Sequence, residues 1–123
     1  MTAPYPAGAT PLVAGSANAA NQSASATLTP AAGKTAYISG FAITGSGATV
    51  GLPVAVTVIG IIGGTRSYTY SFAAGAILGN DPLVISYNPP IPASAADVAI
   101  QVTCQASGAG GLNNNIVAHG YSL

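Results

Sequence analysis

Six side chains of this 123-residue chain could carry proton, charge or metal chemistry near neutral pH: His119, Cys104, Lys34, Arg66, Asp81 and Asp97. A nucleophilic triad needs a serine, a histidine and a carboxylate. Serines are plentiful and His119, Asp81 and Asp97 could complete the set, but no Gly-x-Ser-x-Gly elbow is present and Gly45-Ser46-Gly47 reads as a loop. Asp81 and Asp97 could also form the carboxylate pair of a glycosidase. Their contexts assign them local roles instead: Asn80-Asp81-Pro82 reads as a turn, and Asp97 stands at the entrance to a strand. One Cys and one His cannot build a structural zinc site within a single chain. Two carboxylates without an acidic loop give little basis for calcium or magnesium.

Gly33-Lys34-Thr35 has the ending of a phosphate-binding P-loop. Leu28 occupies the place of that motif's first glycine, and a strand follows where a helix is required. Asn113-Asn114-Asn115 reads as a turn, and Cys104 as a small buried hydrophobe. Tyr68, Tyr70 and Phe72 recur at period two and could stack sugars, although that spacing is the ordinary one of a core face. No catalytic residue, cofactor or metal site is expected, and the chain reads as no enzyme.

Short alternating runs must position these groups. Thr35–Thr44 is rich in aromatic and β-branched residues and lies between Gly33 and Gly45, with Tyr37, Phe41 and Ile43 expected on one inward face. Ser23–Thr29 reads as a weak edge strand. Pro53–Ile62 carries Val54, Val56 and Val58 on one face and Ala55, Thr57 and Ile59 on the other, so both faces are expected to be covered. Gly63-Gly64-Thr65 is a hairpin connection into Arg66–Phe72. Leu83–Asn88 places Leu83, Ile85 and Tyr87 inward, and Pro89-Pro90-Ile91-Pro92 is expected to break regular structure. Ala96–Gln105 turns Val98, Ile100, Val102 and Cys104 inward, and Ile116–Leu123 closes the chain after a Gly- and Asn-rich loop.

The pattern predicts an all-β antiparallel sandwich or jelly roll of about seven to eight strands over residues 23–123. Residues 1–22 are expected to form an extended N-terminal arm. This arm is either a solvated tail or a segment that orders against a neighbouring subunit, with Tyr5, Leu12 and Val13 as its pegs.

Charge is the oddest property of the chain. Charged residues make up 3% and the formal net charge is zero, against about 25% in ordinary soluble domains. Neutral surfaces tend to associate, so copies of the chain or a partner are expected to cover much of this one. Two cations cannot supply the phosphate contacts that nucleic acid demands. The apolar stretch Val50–Gly64 is too short for a membrane helix and contains Pro53. Met1–Pro6 lacks the basic and apolar regions of a secretory leader, so the Asn21-Gln22-Ser23 sequon carries little weight.

The charge-poor Ala/Gly/Ser/Thr composition and Pro-rich N-terminal segment run together with Gly33-Lys34-Thr35-Ala36-Tyr37-Ile38-Ser39-Gly40-Phe41, Gly108-Ala109-Gly110-Gly111 and His119-Gly120-Tyr121. In this the chain resembles the small β-sandwich virion proteins of tailed bacteriophages, in particular capsid decoration (cement) proteins. The resemblance implies a homotrimer or other homo-oligomer on the outer capsid surface, made in the bacterial host cytoplasm and contacting the major capsid protein. It implies no catalysis and no cofactor; no nucleic-acid partner and no membrane are expected from the charge and the apolar lengths above. Tyr5, Leu12, Val13, Tyr68 and Tyr70 are the interface candidates. A tail, neck or fibre component with a receptor-binding tip is the alternative, and a carbohydrate-binding sandwich is a further one.

Overall fold

A computed structural model describes residues 5–16, 19–20, 22–46, 52–72, 82–106 and 113–123. Nine antiparallel strands occur among them: β1 (Thr10–Gly15), β2 (Ala19–Ala20), β3 (Ala24–Leu28), β4 (Ala36–Ser46), β5 (Leu52–Ile59), β6 (Arg66–Phe72), β7 (Leu83–Pro92), β8 (Ile100–Cys104) and β9 (Asn113–Ser122). No helix among the described residues is long and apolar enough to cross a membrane.

The strands pair as one long hairpin. β5 pairs with β6, β4 with β7, β3 with β8 and β1 with β9, and all four pairings are centred between Ile62 and Arg66. The hairpin is rolled so that β9 also pairs with β4, and β8 with β5. A front sheet of order β1-β9-β4-β7 then faces a back sheet of order β3-β8-β5-β6, which is the arrangement of an eight-stranded jelly roll. β2 continues along β9 beyond β1. At the stagger between them, the Ser16 amide donates to the Ile116 carbonyl and the Ile116 amide donates to Ser16 Oγ, both at 2.9 Å.

The tip of the hairpin, Gly60–Thr65, turns through positive φ at Gly60, Gly63 and Gly64, a backbone that glycine adopts without steric cost. Between these glycines Ile61 folds back, bridges to Ala93 and is buried. Alternation fills the space between the sheets. Ile38, Phe41, Ile43, Ile116 and Ala118 of the front sheet meet Leu28, Val54, Val56, Val58, Ile100, Val102 and Cys104 of the back sheet.

Five sequence expectations change. First, Tyr37 does not share a face with Phe41 and Ile43. The β4 register shifts between Ile38 and Gly40, and the extra residue reverses the parity, so Ala36 and Ile38 point inward and Tyr37 outward. Second, β7 continues through Pro92. It is an edge strand, where missing amide donors are tolerated, and it is bulged around a cis Asn88–Pro89 bond. Third, the outer face of β5 is uncovered within the chain, with Ala55 exposed and Ile59 41% exposed. Fourth, Asn113–Asn115 is the start of β9, paired with β4, rather than a turn. Fifth, much of the segment read as an arm lies in the chain's own sheet. Leu12 and Ala14 pack on the core, because β9 offers a free edge and β1 alternates in phase with it.

Candidate functional site

His119 and Ser39 stand on the outer face of the front sheet, on adjacent strands. Ser39 is the bulge residue of β4, and its Oγ lies 2.7 Å from His119 Nδ1 and 3.0 Å from the His119 carbonyl oxygen. Both acceptors lie within reach of the one serine proton, and which of Oγ and Nδ1 donates across the 2.7 Å contact depends on the imidazole tautomer. Gly40 makes room for the ring: a Cβ there would fall 3.2 Å from His119 Cε1 and 2.6 Å from the Ile85 carbonyl. The 2.7 Å contact ties the imidazole to β4 and fixes its orientation on the outer face.

Asp97 does not join this pair. Asp97 sits in a turn at φ 65°, and its Oδ1 accepts from the Gly33 amide at 2.6 Å. Asp81 lies outside the described residues, as does most of the Gly- and Asn-rich loop before β9. Among the described residues no three His, Cys, Asp or Glu side chains cluster as a metal site. Lys34 is exposed, and its carbonyl accepts from the Asp97 amide at 2.9 Å.

Cys104 is fully buried, and burial pushes its thiol from the usual 9.0 up to about 11. Asn114 Nδ2 reaches its sulfur at 3.9 Å, while Asn114 Oδ1 and Ser122 Oγ are buried without a hydrogen-bond partner among the described residues.

The interface candidates separate. Tyr68 and Tyr70 face the core and are half-buried. Tyr68 closes the open side of the sandwich, its hydroxyl 2.7 Å from that of Tyr87, with Phe41 edge-on to Tyr68 and the Arg66 guanidinium 5.7 Å from the Tyr87 ring centre. Burial, followed by the Tyr68 hydrogen bond, pushes the Tyr87 hydroxyl well above the usual phenol range. Leu12 points inward. Val13 is 73% exposed on the outer front face, and Tyr5 packs edge-on against Tyr121, which stacks on Tyr37 at 4.8 Å. Burial, and then Tyr37, raises the Tyr121 hydroxyl above its ordinary value.

The two outer faces differ in chemistry. Across the front sheet, register aligns Pro11, Tyr121 and Tyr37, then Val13, His119, Gly40 and Ser86, then Gly15, Val117, Ala42 and Val84. Val84 is 62% and Val117 49% exposed, and no charged residue lies on these rows. The back sheet presents mainly hydroxyls and amides, with Ala55 and Ile59 among them. Ser25, Thr103, Thr57 and Ser67 form one row, with Ser25 bonded to Thr103 at 3.1 Å and Gln101 to Thr27 at 3.2 Å. Sequence reasoning passed over the front face because its valines are scattered along three strands. The available signal was the residue between each pair of inward positions on β1, β7 and β9.

No family model, curated protein or solved structure matches this chain.

Proposed function

We propose that the chain is a structural virion protein, a capsid decoration (cement) protein that stabilises a phage head through protein–protein contacts with its own copies and with the major capsid protein. The observation that carries this reading is the outer front face: exposed Val13, Val84 and Val117, with no charged side chain among the described rows. Interface cores deplete charge and favour aromatic residues. Repetition around a symmetric shell would add many modest contacts into a stable assembly.

The test is the copy number of the chain in purified particles from its source, measured by quantitative mass spectrometry against the major shell protein. Copies comparable to the shell protein are expected. A few copies per particle would move the assignment to the tail, neck or fibre, and absence from particles would overturn a virion role.

A further inference from the structure

We infer that the outer face of the front sheet is a two-fold interface between two copies of this chain, and that the working unit is a face-to-face dimer. Register supplies the argument. Place a two-fold axis along the strands, midway between β9 and β4. Val117 then lies over the partner copy's Ala42 position and Val84 over its Gly15 position, both from the row Gly15, Val117, Ala42, Val84. In the neighbouring row Val13 comes over Ser86, while each copy's His119 ring already fills the space above its own Gly40. Val117 over Ala42, Val84 over Gly15 and Val13 over Ser86 set large residues on small ones, which is the condition for two layers to interdigitate, while Tyr121 and Tyr37 of one copy come over the same pair of the other.

That axis is also the centre of the four-stranded sheet β1-β9-β4-β7, so all four strands are covered at once. Four strands about 4.8 Å apart and roughly 33 Å long give a flat footprint of about 600 Å². Side-chain relief brings this near the ~800 Å² per partner of a standard interface. Electrostatics narrows the occupant. A charged partner would lose water from its charges with nothing opposite to pair them, whereas a second copy presents the same uncharged rows. Docking front face on back face would leave both ends open and build fibres, while front on front closes.

The experiment is sedimentation velocity on the purified full chain, which needs no particles and so fails or succeeds independently of the virion assignment. At roughly 100 µM, well above the micromolar Kd that interfaces of this size reach, a species of twice 11.8 kDa is expected. Val117→Lys and Val84→Lys, both on exposed positions, should each weaken it at least about tenfold while leaving the unfolding midpoint unchanged. Ala42→Leu, which fills the position under Val117, should weaken it comparably, and Thr57→Lys on the back face should not. A monomeric wild-type chain, lysine variants that dimerise as tightly as wild type, or dissociation by Thr57→Lys would overturn the inference.

Discussion

Ser39 Oγ and His119 Nδ1 lie 2.7 Å apart although 80 residues separate them in sequence. The contact depends on the β4 bulge, which turns Ser39 to the outer face, and on Gly40, over which the imidazole lies. Ser39→Ala should remove the partner of Nδ1 and release the ring. The expected readout is a change in the His119 ring 15N resonances. The stability loss should be about 1 kcal/mol, that of one hydrogen bond. Unchanged ring resonances would mean that Ser39 does not hold the imidazole.

Cys104 makes stability fall at alkaline pH. Its thiol titrates near 9.0 when the chain is unfolded and at about 11 when folded. The folded state therefore holds the proton more tightly. This contribution is fully present below pH 9 and lost as pH rises toward 11, on the order of 2 to 3 kcal/mol. Tyr87, whose hydroxyl is also raised, acts in the same direction. Cys104→Ala should flatten the fall in urea midpoint between pH 8.5 and 11, roughly the window of a titrating thiol, and the native thiol should resist alkylation at pH 8. Rapid alkylation of the folded protein would contradict this burial.

Tyr87→Phe should cost about 0.5 to 1.5 kcal/mol. It deletes the hydroxyl pair with Tyr68 but keeps the ring near Phe41 and Arg66. Tyr87→Ala should cost roughly 2 kcal/mol more, because the ring packs on the core between β6 and β7. Equal losses in the two variants would mean that the hydroxyl pair, and not the packing, closes this side of the sandwich.

Deleting residues 1–15 tests the N-terminal segment. A detached arm would leave stability unchanged. With β1 paired to β9 and Leu12 and Ala14 on the core, the deletion should cost about 2 kcal/mol or more. It should also expose the edge of β9 to strand-on-strand aggregation. Urea unfolding and light scattering on the truncated chain check both effects.

Strand identity was legible wherever one face is buried and the other wet. Val54, Val56 and Val58, or Ile100, Val102 and Cys104, show their inward face by period two alone. Tyr37 defeated that rule because a single extra residue at Ser39 exchanges the faces, and no local signal marks the insertion. The prolines of β7 read as a break because nothing local says that the strand is an edge. The Ser39–His119 pair was illegible for a related reason, since two strands distant in sequence must be in register before the side chains meet.

By itself the sequence determined the all-β class, the hairpin tip at its glycines and the inward face of most strands. It also determined a nearly charge-free surface, because composition and period two are local properties of the chain. Only the tertiary structure decided which strands are neighbours, since pairing β9 with β1 and β4, and β8 with β3 and β5, requires the long hairpin to roll. That rolling sorts the outward residues into two unlike faces, one of valine and tyrosine and one mainly of hydroxyls and amides. Each row on those faces joins residues from several distant strands, so it exists only once the sheets have formed.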